Sequence, residues 1–210
     1  PAPPRAQAAA VTVAGGWRYV LGEPRVAQAL LAMSVLYLLM GPMQVMLPRF
    51  ADEVLALAPG TRGLLLGTTA VGLLAGGALA LLLGRRLAQG RLVLASVAAT
   101  GASLLALAAS TQTWMAATSV LLAATAAGVG VSLLVAILQQ ASDDAHRGRV
   151  MSFYTVLSQV TPALSGLASG IALSVLLPAH GLAAAGLLLL AMSLLLHWRA
   201  HALRSVPAAR

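Results

Sequence analysis

Six long, almost purely apolar runs cross this chain, and the arginines between them collect in alternate connections. The runs lie at roughly 27–48, 62–83, 92–110, 114–138, 151–177 and 181–198. About 20 apolar residues wound as a helix, rising about 1.5 Å each, reach across the hydrocarbon core of a bilayer. Inside lipid the backbone polar groups must be satisfied internally, which leaves helices or closed barrels. These runs are too long for barrel strands and lack strict polar/apolar alternation. The sequence therefore predicts an all-α transmembrane bundle of six helices. Composition agrees: 9% of residues are charged, against about 25% in a soluble domain.

The cationic side chains are all arginine, and their placement predicts orientation. Arg5, Arg18 and Arg25 precede the first run. Arg85, Arg86 and Arg91 fill the second connection, Arg147 and Arg149 the fourth, and Arg199, Arg204 and Arg210 follow the sixth. The opposite side holds Arg49 and Arg62, beside Asp52 and Glu53. The third and fifth connections, around Gln112 and around His180, have no arginine. Both termini are thus expected in the cytoplasm, with the bundle in a bacterial plasma (inner) membrane. The net charge of +8 reads as topology and contact with anionic lipid. No soluble basic face exists for nucleic acid.

Several chemistries lack their residues. There is no cysteine, hence no disulfide and no thiolate metal site. The histidines stand at 146, 180, 197 and 201 without an acidic third ligand, so no metal is expected. No P-loop is present, and Ser165 has no buried histidine in a plausible partner helix. The chain is read as carrying no enzyme activity and no cofactor.

Four segments follow: a lead-in at 1–15, an interfacial segment at 16–26, the transmembrane domain at 27–198 and a tail at 199–210. The lead-in is proline- and alanine-rich and has no signal-peptide order. Trp17 to Leu21 forms a short amphipathic patch, either a brief interfacial helix ended by Pro24 or a juxtamembrane linker.

The first long run holds Gly41 and Pro42 in mid-span, amid Met33, Met40, Met43 and Met46, with Gln44 nearby. Proline removes a backbone bond and kinks a helix, and methionine makes an adaptable apolar wall. Two readings stay open: a cavity lining for a bulky, partly apolar substrate, or a kinked packing helix with methionine as filler. Gly72 and Gly76, and again Gly166 and Gly170, have the small-xxx-small spacing of closely crossing helices. The fifth run is the most polar, with Ser158, Gln159, Thr161, Pro162, Ser165 and Ser169. Polar groups at membrane depth need partners or water, so this run is expected to line a polar path. Met40, Met43, Gln44, Ser158, Gln159 and Thr161 are the candidate pathway residues. Past Arg62 at the very start of the second run, no Asp, Glu or Arg lies inside a run.

The fourth connection reads Gln139-Gln140-Ala141-Ser142-Asp143-Asp144-Ala145-His146-Arg147-Gly148-Arg149-Val150-Met151-Ser152. Acidic residues followed by Arg-Gly-Arg-Val-Met-Ser resemble the equivalent loop in the C-terminal half of major facilitator superfamily exporters, the branch similar to the enterobactin exporter and multidrug efflux proteins. The segment Trp17-Arg18-Tyr19-Val20 with Pro24-Arg25 is also similar to the end of that family's central loop. The resemblance covers residues 16 to about 200. One departure stands out: Gly84-Arg85-Arg86-Leu87-Ala88-Gln89-Gly90-Arg91 lacks the aspartate of the family's Gly-x-x-x-Asp-Arg-x-Gly-Arg loop and is one residue short. The resemblance implies a six-helix half built of two inverted three-helix repeats. It implies alternating-access export of a bulky amphiphile such as a drug or siderophore. It assigns the gating loops to Gly84, Arg85, Arg86, Arg91, Asp143, Asp144, Arg147, Gly148 and Arg149. The expected partners are the bilayer, a small-molecule substrate, and a second six-helix half or a homodimer mate. The competing expectation is a six-helix scaffold that transports nothing.

Overall fold

The computed structural model describes residues 13–207. Arg5, Arg210 and most of the lead-in lie outside the described residues, as does the side chain of Trp17. Among the described residues all regular structure is helical. The helices are α1 (Val13–Gly22), α2 (Pro24–Tyr37), α3 (Leu47–Glu53), α4 (Pro59–Leu83), α5 (Gln89–Ala108), α6 (Thr113–Ala141), α7 (Asp144–Ala172), α8 (Pro178–Arg199) and α9 (His201–Arg204). A π-helical turn, Pro42–Met46, joins α2 to α3, so that Pro24–Glu53 runs as one broken rod.

Proline starts three of these rods. Pro24, Pro59 and Pro178 sit in the first turn of α2, α4 and α8, where a missing amide costs nothing. Pro24 therefore opens the next helix rather than merely closing the amphipathic patch. His180, expected in a connection, lies inside the first turn of α8 for the same reason.

Five rods are long and apolar enough to cross a membrane: Pro24–Glu53, α4, α5, α6 and α8. The fifth run does not join them. It forms α7, which has 29 residues and thus ample length, but it starts earlier than expected and ends before the expected 177. Its first turns take in Asp144, Arg147 and Arg149, and its middle carries a row of hydroxyls.

The helix α6 is the hub. Ala127, Gly128, Val129 and Gly130 are four successive buried residues, and at about 100° apiece they are covered all round. The first triplet is the broken rod, α4 and α5; the second is α6, α7 and α8. The main neighbours are α4 with α6, α5 with α6, α5 with α8, α2 with α6, α7 with α2 and the π turn, and α8 with the π turn and α3. Exchanging the first, second and third members of one triplet for those of the other leaves this set unchanged. The α5–α8 crossing is reciprocal in atomic detail. A Cβ built on Gly101 would lie 2.9 Å from the Gly186 carbonyl and 3.0 Å from Leu190 Cγ. One built on Gly186 would lie 2.8 Å from the Gly101 carbonyl and 3.0 Å from Leu105 Cγ. Each glycine thus meets its counterpart and the residue four beyond it.

Gly72 and Gly76 hold α4 against α6: their Cβ atoms would run into Ala124, the Leu121 and Thr125 carbonyls and the Gly128 backbone. Gly166 and Gly170 have the same spacing but no such role within this bundle, because nothing lies within 4 Å of a Cβ at either. On the outer surface of the bundle, Leu64, Leu74, Leu81, Leu187 and Leu194 stand exposed, a surface suited to lipid rather than water.

The arginine-rich segments meet at one end. The Leu203 amide donates to Gln28 Oε1 at 2.8 Å, and the Gln89 amide reaches the Pro207 carbonyl at 3.4 Å. The Tyr19 hydroxyl donates to the Ala141 carbonyl at 3.4 Å. At the other end Arg49 pairs with Glu53 at 2.9 Å, and Arg62 pairs with Asp52.

Candidate functional site: a broken helix and the stripe that meets it

Proline at position 42 has no amide, so the Leu38 carbonyl loses its helical donor. The backbone compensates in part: the Leu47 amide reaches back five residues to the Pro42 carbonyl, which makes the π turn. Leu38 is satisfied from another helix. Ser165 Oγ of α7 donates to its carbonyl at 2.6 Å. Gly41 allows that approach, because a Cβ there would overlap the Ser165 backbone and hydroxyl. Most other hydroxyls donate within their own helix, as Ser96 does to Val93 at 2.7 Å and Ser158 to Thr155 at 2.8 Å. Ser165 and Ser193, which reaches the Leu94 carbonyl at 3.3 Å, bond across helices.

Tyr154, Ser158, Thr161, Ser165 and Ser169 follow one another at helical spacing on α7, with Ser165 and Ser169 buried. The phenols of Tyr154 and Tyr37 meet across the gap between α7 and α2. The opposite face of α7 is an exposed apolar stripe: Val156, Val160, Leu164, Leu167 and Ile171. A third stripe between them holds Thr155, Gln159, Pro162, Gly166 and Gly170. Gln159 is exposed on it, away from Ser158 and Thr161.

Two cavities flank the break. One, of about 430 Å³, is bounded by Leu38, Pro42, Met46, Ser165, Ser169 and Gly181. The other, of about 280 Å³, lies on the far side among Tyr37, Met40, Leu73, Gly128, Val131 and Ser132. Tyr37 and Met40 of the broken rod border this second space; Gln44, in the π turn, is exposed and not part of its lining. Met43 points the other way and is buried in the core with Met33 and Met46. The expected methionine wall is thus divided: Met40 borders the second cavity and Met46 the first, while Met33 and Met43 fill the core. Tyr37, Tyr154 and Ser132 were not picked out from sequence. A tyrosine in an apolar run is an ordinary core residue until its partner is known.

At the arginine-rich end Asp143 caps α7 through its backbone, receiving the His146 and Arg147 amides at 2.9 and 2.8 Å. Asp144 pairs with Arg147 at 2.8 Å inside one helical turn, with its side chain 90% exposed. That pair stays within α7 and does not join two helices. Gly148 has open space around it, and Arg149 lies a turn beyond Asp144. Tyr19 of α1 clasps this junction. Its ring stacks on His146 with centroids 4.2 Å apart and planes 2° from parallel. Its hydroxyl accepts the Asp143 amide at 3.2 Å. In the other loop Gly84 packs tightly below Leu133, while Arg85, Arg86 and Arg91 are exposed.

No protein-family model matches this chain, and no curated protein matches it.

Proposed function

We propose that this chain is one six-helix half of a secondary transporter of the major facilitator type, exporting a bulky amphiphilic molecule by alternating access. The observation that carries the reading is the exchange symmetry of the bundle, with its reciprocal Gly101–Gly186 crossing. Inverted repeats related by an axis in the membrane plane leave such a pattern, and transporters of this kind bind substrate near the midplane beside discontinuous helices. The broken rod at Gly41–Pro42 supplies the discontinuity. Tyr37 and Met40, with Ser132 across the cavity and Tyr154 beside Tyr37, supply an apolar wall with a few polar groups, and Gln44 lies exposed in the π turn beyond them.

In this reading α7 also crosses the membrane, as the fifth of six spans. Its polar stripe turns inward to α2 and its apolar stripe turns out, the arrangement a lipid-facing helix requires. With α7 across, every arginine-rich segment shares the cytoplasmic side, as the positive-inside bias demands. The third stripe, with Gln159, Gly166 and Gly170, is neither buried nor apolar. A second half docked there would cover it, on the same polypeptide or on another. The competing scaffold reading needs neither this stripe nor the break.

The test is efflux of an amphiphilic dye from cells carrying this chain together with its opposing half. Gln44→Leu and Gln159→Leu should each lower efflux several-fold at unchanged expression. Unchanged efflux in both would remove these residues from the path and favour a scaffold.

A further inference from the structure

A groove of about 620 Å³ opens sideways between α5 and α8 at the arginine-rich end, lined at its mouth by Arg91, His197 and Arg204. Leu94, Ala95, Ala98, Leu190 and Leu194 line the rest. The lining is ordered by depth. The two arginines and His197 stand at the helix ends, and one turn in the walls become leucine and alanine, with the small side chains of Ala95 and Ala98 leaving a trough. Ser193, the polar group deeper down, is already engaged with the Leu94 carbonyl at 3.3 Å. The lining on α5 runs from Arg91 to Ala98, and just beyond it the backbones come together at the Gly101–Gly186 crossing. From Arg91 to Gly101 the helix rises about 15 Å, half the roughly 30 Å hydrocarbon core of a bilayer. Arg204 is held over the mouth, because its Nη1 donates to the His197 carbonyl at 2.9 Å. Among the described residues neither Arg91 nor Arg204 has an acidic partner; the ion pairs are Arg49–Glu53, Arg62–Asp52 and Arg147–Asp144.

We propose that this groove is a binding site for one anionic phospholipid of the arginine-side leaflet, with the phosphate between Arg91 and Arg204 and an acyl chain lying in the trough. Guanidinium groups match phosphate oxygens in shape and charge. A depth of one leaflet, open to the side, fits a lipid and not a soluble anion. The inference requires that α5 and α8 lie in the bilayer, as their length and hydropathy allow. It does not depend on what the protein transports.

The experiment uses the full chain purified in a neutral detergent, titrated with phosphatidylglycerol, phosphatidylcholine or inorganic phosphate while thermal melting and native mass are followed. Phosphatidylglycerol should bind and raise the melting temperature well above the effect of phosphatidylcholine. The double variant R91Q/R204Q should weaken that binding about tenfold or more, given about 1 kcal/mol for each basic residue near an anionic surface. The variant R85Q/R86Q, with the same charge lost at the same end outside the groove, should bind almost normally. Ala98→Phe fills the trough without touching a charge and should also weaken phosphatidylglycerol. Its melting in phosphatidylcholine, unchanged from the parent, reports intact folding; Ala95→Phe replaces it if that melting is lost. Equal weakening in the two arginine pairs would reduce the effect to diffuse surface attraction and overturn the site. Protection by inorganic phosphate as strong as by phosphatidylglycerol would overturn the lipid assignment.

Discussion

Ser165→Ala removes the hydroxyl that satisfies the Leu38 carbonyl, and the structure sets the size of the loss. The bond is short, at 2.6 Å, and partly buried. The helical donor that would otherwise serve Leu38 is absent because residue 42 is proline. A buried carbonyl left without a partner costs about 1–3 kcal/mol, while side-chain bonds between membrane helices average about 0.6 and reach about 1.7 kcal/mol. The expected destabilisation is therefore about 1–1.5 kcal/mol. The decisive feature is its dependence on Pro42. In a Pro42→Ala background the alanine amide can serve Leu38, and Ser165→Ala should then cost less than about 0.5 kcal/mol. Whatever Pro42→Ala does to the kink cancels in the double-mutant cycle. Equilibrium unfolding of the purified chain in mixed micelles, titrated with a denaturing detergent, gives all four corners. Equal costs of Ser165→Ala in both backgrounds would refute the orphaned-carbonyl argument. No cost in the parent would refute it too.

The remaining predictions concern packing and the α6–α7 junction. Gly76→Leu should destabilise by about 2 kcal/mol or more through overpacking at the α4–α6 crossing, with melting in detergent as the readout. Gly77→Leu, one residue away and facing Ser132 Oγ at 3.7 Å, should be tolerated better. Gly170→Leu should leave melting of the isolated chain unchanged, since nothing lies near it; a loss as large as that of Gly76→Leu would place a partner there. Tyr19→Leu removes the stack on His146 and the hydroxyl at the α6–α7 junction. Trypsin cleavage after Arg147 and Arg149 should then speed up several-fold, and an unchanged rate would deny the clasp.

Much of this architecture could be read from the chain because a membrane span needs only length and apolar content, and five runs declare both. The fifth run shows the limit of that signal. In α7 hydropathy is split between two faces, Ser158, Thr161 and Ser165 on one and Val156, Val160 and Leu164 on the other, so an average over the segment mixes them. The break at Gly41–Pro42 was visible as two residues, but its partner Ser165 lies far along the chain. Glycine spacing was equally ambiguous. Gly72 with Gly76 and Gly166 with Gly170 are alike in sequence, yet the first pair meets α6 and the second meets nothing in this bundle. Gly101 and Gly186, which make the reciprocal crossing, carry no motif at all. Direction around a helix also mattered: Met40 and Met43 are near neighbours in sequence but face a cavity and the core respectively. Asp144 and Arg147 are close enough in sequence to pair within one turn, and that local choice prevails over a bond between helices.

The account turns on α7 crossing the bilayer, and the absence of cysteine makes this directly measurable. Single cysteines at Gly148 and Ser174 would flank most of α7, with Leu87 and Gln112 as references for the two ends of the bundle; all four positions are exposed. Intact cells would be treated with a membrane-impermeant maleimide, before and after permeabilisation. The account predicts that Ser174→Cys and Gln112→Cys react in intact cells, while Gly148→Cys and Leu87→Cys react only once the membrane is opened. Labelling of Gly148→Cys and Ser174→Cys from the same side would leave α7 on the membrane surface, and the six-helix half would fall with it.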